Sequence, residues 1–246
     1  MNPESRRDAI LTQARGGGRL EVEDLARLLG ASRETIRRDL ARLDRAGLLR
    51  RVHGGAQPVA EGPFPQRMHE AVEAKRAMAR HVAAGLQPGD SLFLDTGSTT
   101  LFLAEEIARL NGLIVITNSA DIADLCQKGN RVILLGGEYR AEGRETLGPL
   151  AVAQISQLRA GRAILTVAAV TERGVFDIDP QEAEVARAMV AQADEVTILA
   201  DGSKMGRAGV FEICPMARLA RIVTDAMPEP LQAAAKAAGV RVEITA

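Results

Sequence analysis

Apolar residues recur along this chain at two different spacings, and the change from one to the other divides it. In the first part the spacing is helical. Arg6–Ala14 reads as a helix ended by Gly16-Gly17-Gly18, and Val22–Leu29 has its own helical period. Gly30-Ala31 makes a tight break, and Ser32 follows as an N-cap whose hydroxyl accepts from a free first-turn N–H. Ile36, Leu40 and Leu43 then fall at i, i+4 and i+7, one apolar stripe on a helix running to Ala46. Gly47 stands where a left-handed C-terminal residue is wanted, and Leu48–Gly55 reads as a hairpin with a basic edge.

From about Gln66 helices alternate with short apolar runs. Strands are expected at Ser91–Leu94, Leu113–Thr117, Arg131–Leu135, Ala163–Ala168, Glu195–Ala200, Arg221–Thr224 and Arg241–Ile244. Helices are expected at Arg67–Gly85, Thr99–Leu110, Ala120–Gln127, near Leu150–Gln157, at Pro180–Ala193 and at Pro230–Ala238. Such alternation implies βαβ units and a mainly parallel sheet covered on both faces. Between the two regimes, Gln57–Pro65 holds three prolines and a glycine in nine residues. No regular element is expected to run through it, so it reads as a semi-rigid linker. The expected organisation is a small α(+β) domain over 1–57, a linker over 58–65 and an α/β domain over 66–246.

Length and composition narrow the picture. A chain of 246 residues fits one large domain or two ordinary ones, and 46% hydrophobic content is enough for a real core. No apolar run approaches the ~18–20 residues of a membrane span, and the N-terminus lacks the apolar region of a secretion signal, so a cytoplasmic protein is expected. Cys126 and Cys214 match no metal-ligand spacing, and no metal or other cofactor is expected. The net charge of −1 conceals an asymmetry. Residues 1–57 carry 12 Arg, no Lys and 8 acidic residues, a net +4, while the remainder carries 19 basic and 24 acidic residues, a net −5. A GC-rich coding bias accounts for part of the arginine excess; a basic module on an acidic body also suggests that the module alone meets a polyanion.

The helix beginning at Ser32 carries that chemistry. Arg33, Arg37, Arg38, Arg42 and Arg45 lie off its apolar stripe. An isolated basic helix is usually a solvated surface. Here a helix, a short Gly-containing turn, a second helix and a basic hairpin stand in order, which is the winged helix-turn-helix pattern. The residues expected at double-stranded DNA are Ser32, Arg33, Thr35, Arg37, Arg38 and Arg42 on the helix, with Arg50, Arg51 and His53 on the wing. Phosphate contacts fix position, and side chains near the helix N-terminus reach base edges.

In open α/β sheets ligands bind beyond the carboxyl ends of the strands, and polar motifs gather there. Asp95-Thr96-Gly97-Ser98-Thr99-Thr100 follows the first strand and opens a helix. Its hydroxyls and free N–H groups suit an anion. It lacks the Gly-Lys-Ser/Thr of a nucleotide-binding loop, so ATP is not expected. Thr117-Asn118-Ser119, Gly136-Gly137, Asp201-Gly202-Ser203-Lys204 and Thr224-Asp225 end other strands. Singly each is a common cap or turn. Together they point to a site for a small phosphorylated polyol, with Asp95, Gly97, Ser98, Thr99, Thr100, Asn118, Ser119, Gly136, Gly137, Asp201 and Ser203 around it and Lys204 as countercharge. Glu184, a weaker candidate, is expected to be an ordinary exposed helical residue.

The chain resembles DeoR-family bacterial transcriptional regulators over nearly its whole length. The N-terminal resemblance rests on Glu23-Asp24-Leu25-Ala26, Ser32–Leu40 and His53-Gly54-Gly55-Ala56; the C-terminal one on Lys75 and the strand-end motifs above. It implies a winged helix-turn-helix joined to a sensor domain similar to ribose-5-phosphate isomerase. It also implies repression of sugar or polyol catabolism genes, release by a phosphorylated intermediate, and a homo-oligomer, dimer or tetramer. Two departures stand out. Thr166–Thr171 replaces a Gly-rich strand end, and the carboxylate-rich loop of the isomerases is absent, Asp177 and Asp179 being the nearest acids. The alternative, a phosphosugar isomerase with an accessory DNA-binding head, needs a positioned base that this loop would have supplied. A regulator without catalysis is therefore expected.

Overall fold

In the computed structural model of the chain, the apolar stripes of the N-terminal helices close on one another. The structure describes residues 2–15, 20–45, 49–52, 54–58, 62–207 and 209–245, and it divides into two units, Met1–Arg67 and Met68–Ala246. The first unit runs α1 (Pro3–Arg15), β1 (Leu20–Glu21), α2 (Val22–Leu29), α3 (Arg33–Arg45), β2 (Leu49–Val52), β3 (Gly55–Pro58) and α4 (Phe64–Arg67). Ile36, Leu40 and Leu43 of α3 pack with Ile10, Ala14, Val22, Leu25, Leu49 and Ala56 in one core. A charged pair anchors α1 to α3: Arg6 Nε donates to the buried Asp39 carboxylate at 2.5 Å. Gly30 takes the left-handed conformation, φ 59°, that ends α2 and turns the chain into α3. The expected roles of Gly16-Gly17-Gly18 and Gly47 lie outside the described residues.

The hairpin is part of a three-stranded sheet in the order β1-β3-β2. Gly55 faces Glu21 of β1, and a Cβ there would sit 1.9 Å from the Leu20 carbonyl oxygen. Only glycine lets the third strand approach so closely. Regular structure also enters the proline-rich stretch from both ends, contrary to expectation. Pro58 ends β3, opposite Leu49. Phe64–Arg67 forms a helical turn in which the N–H groups of Gln66 and Arg67 donate to the Pro63 carbonyl. Proline is tolerated in both places, since strand ends and first helical turns need no N–H from it.

The second unit begins with α5 (Val72–Ala83), then β4 (Ser91–Leu94), α6 (Ser98–Ile107), β5 (Ile114–Thr117), α7 (Ala120–Cys126), β6 (Arg131–Leu134), β7 (Glu138–Arg140), β8 (Glu145–Leu147) and α8 (Pro149–Ile155). It continues with β9 (Ala160–Thr166), β10 (Ala169–Thr171), β11 (Gly174–Asp177), α9 (Pro180–Ala191), β12 (Ala193–Leu199), β13 (Phe211–Pro215), β14 (Arg221–Thr224), α10 (Glu229–Ala237) and β15 (Arg241–Ile244). A seven-stranded sheet has the order β15-β14-β12-β9-β4-β5-β6, and every pairing in it is parallel. Alternate residues serve opposite faces. Leu92 and Leu94 of β4 join one core with α5, α6 and α7 residues, while Phe93 joins the other, with α8, α9 and α10. Strands buried on both faces read as continuous apolar runs, which is why the sequence revealed them.

Three features differ from the sequence reading. The helix expected over Arg67–Gly85 is broken: α4 ends at Arg67, and α5 begins after Ala71, whose φ of 48° is left-handed. A single reversed residue leaves no trace in periodicity. Two antiparallel elements also appear, the β7–β8 hairpin and a sheet in the order β10-β11-β13. Their strands are short, so no alternating pattern had room to develop. Among the described residues no helix is long and apolar enough to cross a membrane.

Candidate functional site

The α3 surface comes first. Ser32 Oγ accepts from Thr35 N–H at 3.1 Å and lies 2.8 Å from Thr35 Oγ1, so these two hydroxyls form the N-terminal cap. Arg33, Arg37, Arg38 and Arg42 are exposed. Arg33 Nη2 pairs with Glu23 Oε1 of α2 at 2.9 Å, and Glu34 receives Arg38 at 3.4 Å. Arg51 is exposed on β2, with its N–H held by Asp44 Oδ1 at 2.9 Å, which ties the wing to the end of α3. Arg50 is placed on β2 by its backbone, and His53 lies outside the described residues. The arginines therefore form an exposed basic surface on a rigid, capped helix and its wing.

The sheet order creates the second site. From β4 the chain steps outward to β5 and β6, then returns to lay β9 on the other side of β4. The connections after β4 and β9 therefore diverge, and a crevice opens at such a switch point, at the strands' carboxyl ends. Asp95–Thr100 leaves β4 there. Gly97 precedes α6 and provides no side-chain cap, so the first-turn N–H groups have no intrahelical acceptor. Ser98, Thr99 and Thr100 occupy that turn and are buried. Thr100 Oγ1 donates to the Gly97 carbonyl at 3.1 Å.

Neighbouring elements fix the loop. Thr96 N–H donates to Asp95 Oδ1 at 2.8 Å and to Asn118 Oδ1, beyond β5, at 3.2 Å. Asn118 Nδ2 donates to Glu145 Oε2 of β8 at 3.3 Å. Thr166 Oγ1, at the end of β9, donates to the Thr96 carbonyl at 3.2 Å. A Cβ on Gly97 would lie 2.2 Å from that same oxygen, so the loop depends on glycine to pass β9. Ser119 caps α7, accepting from Ile122 N–H at 3.4 Å. Beyond β12, Asp201 Oδ1 accepts from Ser203 N–H at 2.9 Å, and Lys204 closes the same tight turn. Gly206 N–H ties this segment to the Val170 carbonyl of β10 at 2.8 Å.

The other candidates are placed as follows. Gly136 N–H donates to Gln154 Oε1 of α8, and a Cβ on Gly137 would meet the Leu147 carbonyl oxygen at 2.5 Å. These glycines serve the packing of β8 and α8 beside the crevice. Lys75 is buried on α5, and Glu184 is exposed on α9, as the sequence reading expected.

The sequence reading named Asp177 among the nearest acids but did not bring Glu145 or Glu182 to this end. Burial raises the Asp95 carboxyl well above its ordinary range, and the charges of Glu145, Glu182 and Asp177 raise it further against one hydrogen bond from Thr96 N–H. These acids come from β8, from the end of β11 and from the first turn of α9. Glu145 and Asp177 lie on the short antiparallel strands that periodicity did not reveal, so their approach to Asp95 had no local signal.

An exposed, arginine-rich helix-turn-helix head and an α/β domain with a polar switch-point crevice define a DNA-binding regulator that responds to a small molecule. The family model described as "DeoR-like helix-turn-helix domain" matches residues 6–61, and that described as "DeoR C terminal sensor domain" matches residues 70–226. The HTH-type transcriptional repressor CsqR of Escherichia coli K12 is 31% identical over 229 residues, spanning 91% of this chain and 88% of that one. The glycerol-3-phosphate regulon repressor of the same organism is 29% identical over 234 residues, 93% of each. The HTH-type transcriptional regulator GlpR of Haloferax volcanii is 32% identical, covering 92% of this chain and 91% of that one. The chain belongs to the DeoR family of transcriptional regulators and is not an enzyme. Among solved structures, ribose 5-phosphate isomerase A of Methanocaldococcus jannaschii has a TM-score of 0.40 at 17% identity, over 55% of this chain and 54% of that one. The translation initiation factor eIF-2B of Pyrococcus horikoshii has a TM-score of 0.44 at 16% identity, over 90% and 82%. Likenesses so distant carry no activity with them.

Proposed function

We propose that this regulator represses genes of sugar or polyol catabolism and leaves its operator when a phosphorylated sugar or polyol binds the second unit. The observation that carries the effector reading is the uncapped start of α6 at the switch point. Its first-turn N–H groups and the Ser98, Thr99 and Thr100 hydroxyls form a buried, neutral cradle suited to a phosphate. Gly97 brings the backbone close, and Lys204 supplies positive charge from the neighbouring turn. Asp95, Asn118, Ser119, Asp201 and Ser203 are the acceptors and donors for hydroxyls, and Gly136 and Gly137 shape the far wall. The acids around Asp95 disfavour a second anionic group on the ligand. The relative named for the glycerol-3-phosphate regulon supports a phosphorylated polyol.

In the same reading α3 enters the major groove, with Arg33, Arg37, Arg38 and Arg42 toward the DNA and Ser32 and Thr35 setting the helix start. Arg51 grips the flanking backbone from the wing, a role the sequence also expects of Arg50 and His53. Two heads on two half-sites require at least a dimer, with half-sites one or more helical turns (~34–36 Å) apart. The effector acts only if it binds the released arrangement more tightly than the DNA-bound one. The test is operator binding at fixed salt against a panel of phosphorylated sugars and polyols and their unphosphorylated parents. Selective binding released by a phosphorylated compound alone is the expected result. Release by the unphosphorylated parent at equal concentration would refute the phosphate cradle.

A further inference from the structure

The face of α3 that points away from the core holds an unexpected charge. At 100° per residue, the positions opposite the buried Ile36–Leu40–Leu43 stripe are Glu34, Arg38, Ala41 and Arg45, with Arg37 and Arg42 on either side. This is the face that must enter a groove. Glu34 lies in its first turn, where recognition helices meet base edges, and its side chain is 63% exposed. A carboxylate there faces a polyanion, which opposes binding to every sequence alike. Such a group is compatible with tight binding only where a specific donor on the DNA receives it.

The pairing of Glu34 fits that requirement. It meets Arg38 at 3.4 Å and Arg37 at 4.0 Å, both as exposed contacts one helical turn away. Exposed pairs of this kind are weak and exchange readily for other partners. When the arginines turn to phosphate or guanine, the carboxylate is left facing the groove floor. Only cytosine presents an unshared amino donor there, its N4–H2, which Glu and Asp accept. Ala41, about two turns further along the same face, adds no bulk that would hold the helix away from the bases.

We infer that Glu34 is a specificity-determining residue that accepts from the N4 amino group of a cytosine in each half-site and penalises DNA lacking it. This rests on α3 being the DNA-reading helix, so the experiment separates the two ideas. Full-length protein is used to select sites from a pool of random duplexes at fixed salt, alongside Glu34→Ala and Glu34→Gln. The unmodified protein is expected to show one cytosine-dominated position per half-site. Glu34→Ala should lose preference at that position only, by roughly five- to a hundred-fold, while its binding to random DNA strengthens because a negative charge is gone. Glu34→Gln should move the preference there toward adenine, whose N6 and N7 an amide matches. Identical preferences in all three proteins, or a loss spread evenly over every position, would overturn the cytosine contact and leave the reading helix in place. An unmodified protein that selects no sequence would overturn both.

Discussion

Gly97→Ala tests the proposed effector site most directly, because the structure fixes the size of the effect. The new methyl would sit 2.2 Å from Thr166 Oγ1, 3.1 Å from its Cγ2 and 3.2 Å from its Cβ. The first distance is about 1 Å short of an ordinary carbon–oxygen contact of ~3.3 Å. Two routes relieve it. Thr166 can rotate, which breaks its hydrogen bond to the Thr96 carbonyl and costs about 1 kcal/mol. Alternatively the loop moves off β9, an overpacking change of about 1–3 kcal/mol. The cheaper route sets the cost, about 1–3 kcal/mol, which for a unit this size lowers the melting temperature by roughly 2–12 °C. The Thr166→Ala background should remove most of the penalty, since only the 3.2 Å contact to Cβ remains. Thr166→Ala alone loses one hydrogen bond, about 1 kcal/mol. The assay is thermal unfolding of the four proteins as a double-mutant cycle, with effector-triggered release from operator DNA measured in parallel. Because the same loop carries Ser98–Thr100, the single variant should also need at least about tenfold more effector, the equivalent of one lost hydrogen bond. Additive effects in the cycle, or a Gly97→Ala protein with unchanged melting and unchanged response, would refute the packing argument.

Arg38→Ala should weaken operator binding by about 1–3 kcal/mol if the arginine reads a base; if it meets only phosphate, the loss is uniform across sequences and the salt dependence falls by about one charge. Binding titrations at several salt concentrations decide between these, and unchanged affinity contradicts the placement of α3 on DNA. Lys204→Ala should keep operator affinity while abolishing release, and a variant that still responds at ordinary effector concentrations removes Lys204 from the site. Asp95→Asn follows from the raised Asp95 carboxyl. A group whose folded pKa exceeds its unfolded value near ~3.9 stabilises fully below that value and loses its contribution as pH rises through the folded one. The unmodified second unit should therefore lose stability as pH rises above about 4, and Asp95→Asn should flatten that slope and melt higher at neutral pH. Parallel melting-against-pH curves for the two proteins would count against it.

What the sequence made legible depended on how each element is buried. The five inner parallel strands were readable because both faces are covered, which turns Leu92-Phe93-Leu94 and Ile164-Leu165 into unbroken apolar runs between turn residues, whereas the edge strands β6 and β15 are covered only in part. The α3 helix was readable from the opposite signal, a one-sided stripe with a cap at Ser32. The proposed anion cradle came from the rule that loops at strand ends carry ligands, applied to a run of small hydroxyl residues that the structure buries at the start of α6. The acid side of the crevice obeyed no such rule. Glu145 reaches it because β8 bridges Ser119, and Asp177 because β11 pairs with both β10 and β13. Each of those strands has three to five residues, too few for a period to appear. The break between α4 and α5 was invisible for a related reason, since one alanine at positive φ alters the chain's course without altering its hydrophobic pattern. Local pattern thus reached the strand-end loops built on long elements, while the neighbours brought to them by tertiary pairing of short ones emerged only once the fold was known. The raised Asp95 carboxyl draws on both, first on its own burial in a strand-end loop and then on the charges of Glu145, Glu182 and Asp177, which the sequence places far from it.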